Sequence, residues 1–326
     1  MRGLRIGCLA LAALATLARP PAAGGGGGIG GPTLEVFVSI PPQAYLVDRI
    51  GGNRVDCHVL VPPGQTPHAF EPTPGQMVSL AESAVYFSIG LPFEARLLER
   101  IEGLHNDLSV VDTSRGVERR PLTDAEPTPS RTAQDERHHA HGFHGSDDPH
   151  IWLDPSVAGS LADTIADALA RVDPDGAPVY DANLDSLKND LTALDRELRR
   201  ILEPFRGRAI YVFHPAFGYF ADAYGLRQIA VQTGGAEPGA RDLARLVSRA
   251  QEEDVRAIFV QPQYSARTAR ALADEIGAAV VPLDPLAYEY PANLRSMAAA
   301  IVDVLRDPSK GDAGGESPGD GERRER

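Results

Sequence analysis

The sequence predicts an α/β protein of two similar lobes, each built on a four-stranded, largely parallel sheet, with a long helix joining them. Three observations carry this reading. Four short runs rich in β-branched or aromatic residues occur in the first half and four more in the second. Helical patterns separate them, and that alternation is what parallel sheets require. Between the two sets lies a stripe of leucines at alternating steps of three and four.

The first residues read as an export signal over 1–23. Arg2 and Arg5 form a positive start, and Leu9 to Leu17 an apolar run too short to span a bilayer. Cys8 lies near the start of that run, so no cysteine stands where a lipid anchor would follow it. A glycine-rich lead-in covers 24–33. The mature chain is thus expected to be soluble and outside the cytoplasm.

The first lobe is expected over 34–175, with strands at Leu34–Ile40, Cys57–Val61, Ala84–Ile89 and Leu108–Val111. Each is bounded by Gly, Pro or polar breakers. Cys57 reads as a small core residue, and no disulfide framework is implied. Within this lobe 118–148 is polar, contains proline and carries His138, His139, His141 and His144; it reads as a mobile loop. The linking helix is expected over 176–203, where Leu184, Leu187, Leu191, Leu194, Leu198 and Ile201 share one face. A coiled-coil dimer could use such a stripe, but it spans only about three heptads. A single helix of roughly 25 residues, about 37 Å long, could bridge two small lobes within a monomer. The second lobe, 204–306, has strands at Ala209–Phe213, Gln228–Val231, Ala257–Val260 and Ala279–Leu283. A Gly- and charge-rich tail occupies 307–326.

The 326 residues exceed what one ordinary core organises, and 43% hydrophobic with 24% charged residues is a globular composition. A formal charge of −13 argues against a nucleic-acid surface, which needs clustered cations to neutralise phosphates. It suits solubility and cationic ligands without naming one.

Four residues attract attention by position. His68 stands in PPGQTPHAFEPTP after a strand, and His150 in DDPHIWLDP past the polar loop. His214 and Asp284 each directly follow a strand of the second lobe. Ligands of open α/β sheets collect beyond the carboxyl ends of strands, so two residues from each half would meet between the lobes. Three imidazoles and a carboxylate can form a four-ligand shell for a borderline ion such as zinc. Pro67, Pro149, Pro215 and Pro285 adjoin the four and restrict their backbones. Taken singly, each histidine also fits a structural or surface role, and Asp284 a turn or cap. His58 and His105 have no comparable setting.

The segments PHAFEPTP, DPHIWLDP, FHPAFGYFADAYGL, AEPGARDLARLV and FVQPQYS…VVPLDPL together resemble the periplasmic zinc- and manganese-binding proteins of ABC metal importers, and the zinc branch in particular. The resemblance covers roughly Leu34 to Leu305. It implies a rigid connecting helix, a metal ion between the lobes, and His68, His150 and His214 as ligands with Asp284 completing or modulating the shell. It also implies a non-enzymatic receptor that passes its ion to an ABC permease in the inner membrane. Where manganese members tend to carry a carboxylate, this chain has His214, which favours Zn2+ over Mn2+ as cargo. The four loop histidines form a possible auxiliary metal-collecting segment. Gln261 departs from the pattern, standing where many relatives have an acidic residue. A secreted zinc hydrolase is the rival from another class, with Glu71 as the nearest acid, though Pro72 and Pro74 oppose a helix there.

Overall fold

The computed structural model describes residues 33–103, 107–122, 147–232, 240–253, 255–264 and 266–306. The first lobe runs β1 (Leu34–Val38), α1 (Pro41–Gly51), β2 (Val55–Val59), α2 (Pro74–Ala81), β3 (Val85–Ser88), α3 (Pro92–Glu102), β4 (Ser109–Asp112) and α4 (Pro155–Val172). After α5 (Ala177–Leu202) the second runs β5 (Ala209–Val212), α6 (Gly218–Tyr224), β6 (Arg227–Ala230), α7 (Ala240–Glu252), β7 (Ala257–Val260), α8 (Ala266–Ile276), β8 (Ala279–Pro282) and α9 (Tyr290–Leu305). The sheets have orders β2-β1-β3-β4 and β6-β5-β7-β8, and every pairing within them is parallel.

The strands read as apolar runs because sheets of this kind are covered on both faces. All four residues of β3 and of β7 are buried. The expected strand over Cys57–Val61 begins and ends two residues earlier, at Val55–Val59. Leu60 and Val61 are fully buried and still donate to the carbonyls of Val38 and Ser39, so the apolar run outlasts the regular strand. Cys57 is half-buried and packs against the core, and burial pushes its thiol well above its usual pKa.

Helix α5 spans 26 residues, a length of about 39 Å. Pro178 near its start suits the first turn, and Arg199 and Arg200 in the last turn complement the helix dipole. Pro204 then ends it. Leu187, Leu191, Leu194, Leu198 and Leu202 are buried, while Leu184 and Ile201 are only partly so. The helix packs against α1 and α4 of the first lobe and α6 and α9 of the second. One continuous apolar cluster consequently extends from β1 and β3 through α4 and α5 to α6 and α9.

In each sheet the order of strand addition reverses between the first and third strands, β1/β3 and β5/β7, which remain parallel. These are the topological switch points where crevices open. In the first lobe the crevice is filled by its own polar network. Glu94, fully buried, accepts from the backbone amides of Ile89, Gly90 and Leu91 and from the Ser39 hydroxyl. The crevice of the second lobe is lined differently, as described next. The export signal expected at 1–23, the lead-in as far as residue 32, the histidines at 105, 138, 139, 141 and 144, and the tail lie outside the described residues. The ends of the expected 118–148 loop lie within them: Pro121 and Asp147 form an antiparallel bridge.

Candidate metal centre

His68, His150 and His214 come together, one ring nitrogen of each lying within 4.8 Å of the others. Ring centroids are 4.6 Å apart for His68–His214, 5.3 Å for His150–His214 and 5.6 Å for His68–His150.

Each ring is set by local chemistry. His68 sits in a 3₁₀ turn, Pro67–Ala69, whose first amide positions need an acceptor; the Thr66 hydroxyl takes the His68 N–H at 3.4 Å. His150 is 4% exposed and is gripped by Asp148, whose Oδ1 accepts from the backbone N at 3.0 Å and meets Nδ1 at 2.7 Å. Asp148 is itself fully buried and paired with Arg120 Nη1 at 2.9 Å, while Arg120 Nε reaches Asp222 on α6 at 2.8 Å. The segment of the first lobe that carries His150 is thereby tied to the second lobe. Gly218 makes the tie possible, because a Cβ there would lie 1.7 Å from Arg120 Nη1.

His214 follows β5 at the second switch point. Gln261, immediately after β7, brackets its backbone: Oε1 accepts from His214 N at 3.3 Å and Nε2 donates to His214 O at 2.7 Å. Gln232, past the end of β6, accepts from Nδ1 at 3.1 Å. Tyr264 stacks on the ring at 4.9 Å. With Nδ1 acting as donor, the lone pair is on Nε2, which is buried and has no hydrogen-bond partner. An unpartnered imidazole nitrogen beside two other imidazoles is the donor chemistry a borderline metal ion requires.

Burial lowers the His214 pKa to about 2, with repulsion from His150 and His68 adding to it. His68 is lowered to about 4, again by burial first and then by His150. Both rings are therefore neutral at physiological pH, the protonation state in which imidazole ligates.

Asp284 is placed differently. It is half-buried after β8 and is not among the mutually close donors. Its Oδ1 accepts from Gln263 Nε2 at 2.8 Å and from Leu286 N at 2.9 Å. The cavity between the imidazoles measures about 20 Å³, room for about one ion or water. Gln261, Gln263, Tyr264 and Trp152 help to line it, and among the described residues no carboxylate does. Trp152 Nε1 donates to the Pro285 carbonyl at 2.7 Å, a second tie between the lobes beside the site. Glu71 is exposed, 3.7 Å from Arg96, and does not line the cavity.

Sequence reasoning missed Gln232, Gln263 and Asp148, and saw Gln261 only as a departure. The strand-end rule that singled out His214 and Asp284 also points to Gln232 and Gln261, which follow β6 and β7.

Residues 36–304 match the family model described as zinc-uptake complex component A, periplasmic (ZnuA). The high-affinity zinc uptake system protein ZnuA of Paracoccus denitrificans is 30% identical over 299 residues, covering 83% of this chain and 91% of the relative. The manganese-binding lipoprotein MntA of Halalkalibacterium halodurans is 27% identical over 235 residues, covering 71% and 72%. A crystal structure of ZnuA superposes with a TM-score of 0.73 at 37% identity, covering 83% of this chain and 99% of that one.

Proposed function

The chain belongs to the family of periplasmic zinc-uptake component A proteins, and from that membership we propose that it captures a divalent transition metal, zinc first, and delivers it to an ABC permease of the inner membrane. The observation that carries this reading is the set of three imidazole nitrogens within 4.8 Å of one another at the lobe interface. His68, His150 and His214 are the ligands in this reading, and Asp284 supports the shell from the loop after β8. The ion is cargo. Its release is by handover, so the site needs donors and no catalytic base.

Manganese is the second reading, favoured by the manganese-binding relative. The donor chemistry weighs against it, because imidazole suits zinc and manganese prefers oxygen. A hydrolase would need a base near the ion, and Glu71, paired with Arg96, is not positioned for that role.

The family is described as periplasmic, in keeping with an export signal at 1–23. Among the described residues no helix is long and apolar enough to cross a membrane. The 26-residue helix shared by both lobes suits a receptor whose loaded form differs from the empty one by local rearrangement.

The test is calorimetric titration of metal-stripped full-length chain with zinc and then manganese. One tight zinc site, with weaker manganese binding, is expected; absence of saturable zinc binding refutes the reading.

A further inference from the structure

His58 has no distinguishing setting in the sequence, but the fold supplies one. Strands β1 and β2 pair in parallel, with Glu35 opposite Asp56 and Phe37 opposite His58. Side chains alternate along a strand, so Glu35, Asp56 and His58 share one face of the sheet while Cys57 turns to the other. One donor atom from each of the three lies within 4.8 Å of the others. His58 Nε2 is 2.6 Å from Glu35 Oε2, and the imidazole ring packs against buried Phe37 with centroids 5.0 Å apart.

Like charges directly opposite each other on paired strands repel. Glu35 and Asp56 are such a pair, and among the described residues no Lys or Arg forms an ion pair with either. The cluster is more than acidic surface, because the imidazole adds a nitrogen donor and a buried aromatic ring fixes its position. A doubly charged cation would balance both carboxylates and take Nε2 as a third donor. Two oxygens and one nitrogen suit zinc, and the imidazole favours it over magnesium or calcium. The side chains of His58 and Glu35 are 42% and 54% exposed, so water completes the shell and the ion exchanges directly with solvent. Binding there must displace the His58–Glu35 contact, whereas Nε2 of His214 has no partner to give up. The exposed cluster is therefore the weaker of the two.

We propose that Glu35, Asp56 and His58 form a second zinc site, solvent-exchanging and independent of the centre between the lobes. Glu35 and Asp56 are the second residues of their strands, at the amino ends, while His68 lies in the loop beyond the carboxyl end of β2. The two sites share no ligand and open on opposite ends of the first sheet.

The experiment is carbethoxylation of His58 by diethyl pyrocarbonate in the full-length chain at increasing zinc, read by peptide mass spectrometry. His58 should stay reactive while the first, tight equivalent is taken up, and become protected only at higher zinc. Asp56→Asn should raise the zinc concentration for half-protection at least about tenfold, since even the loss of an outer partner of a ligand costs that much. Glu35→Gln, equally exposed and isosteric, should do the same if Asp56→Asn folds poorly. His214→Ala should leave the protection of His58 unchanged. Reactivity undiminished at every zinc concentration, half-protection unmoved in Asp56→Asn, or protection that follows the first equivalent and vanishes in His214→Ala overturns the second site. Failure of the tight equivalent alone overturns capture between the lobes and leaves this site standing, because the His58 readout does not pass through that centre.

Discussion

His150 Nδ1 lies 2.7 Å from Asp148 Oδ1, and the same oxygen receives the His150 backbone N–H at 3.0 Å. One carboxylate oxygen therefore sets both where the residue begins and which way its ring faces. It leaves Nε2 as the nitrogen turned toward any ion.

From this pairing, Asp148→Asn should lower zinc affinity about 10–100-fold, the usual effect of losing the outer partner of a ligating histidine. Competition against a chelator of known affinity measures it. An affinity within twofold of the parent would show that the ring needs no such partner.

The second expectation concerns a proposed ligand itself. His214→Ala should abolish the rise in thermal midpoint that zinc produces in the parent chain, because a ligand stabilises only the state that binds it. The metal-free midpoint should change less than the zinc response does. Retention of the full zinc-induced shift in this variant would falsify the assignment of His214.

Acid should interfere less than for ordinary histidines. With His214 lowered to about 2 and His68 to about 4, both are already proton-free between pH 5 and pH 7. Falling pH therefore adds no competing proton to these two rings until it approaches 4. Calorimetry of zinc binding at pH 6 in buffers of different ionisation enthalpy should detect fewer than two protons released per ion. Release of two or more contradicts the depressed values.

Gly218→Ala should act at a distance from the ion. Its methyl would meet Arg120 Nη1 at 1.7 Å and Asp148 Oδ2 at 2.6 Å, and the guanidinium is pinned between Asp148 and Asp222. A cost of about 1–3 kcal/mol is expected from overpacking, together with weaker zinc binding as Asp148 shifts. Urea denaturation of the metal-free chain gives the first and chelator competition the second. Parent-like values in both would mean that Arg120 has another place to go.

Buried leucines of α5 should be costlier. Leu194 is 1% exposed, and Leu194→Ala is expected to remove about 2–5 kcal/mol. The same denaturation experiment reads it, and a loss under 1 kcal/mol would mean that the helix is not part of the core.

The strands were legible because parallel sheets bury both faces, which leaves apolar runs such as Val85–Ser88 and Ala257–Val260 that stand out against their polar flanks. The α5 stripe was legible for the complementary reason, that one face alone is buried. It drifts from Leu184 to Leu202 because the helix repeat is nearer 3.6 than 3.5. His214 could be found from the strand it follows. The glutamines around it could not be ranked, since an uncharged amide in a loop reveals nothing until its partners are known. The tie from Asp148 through Arg120 to Asp222 joins residues 102 positions apart at its outer step, and no local pattern records that. Asp284 was visible at its strand end, but its engagement with Gln263 and Leu286 emerges only in three dimensions.

The single apolar cluster that runs through α5 has a consequence for how this molecule could be divided. Although its two sheets look like separable modules, neither half is a finished object. A cut before or after α5 would strip one partner of its lid and leave the other displaying leucines to water. The protein is a duplicate in plan and a unit in construction.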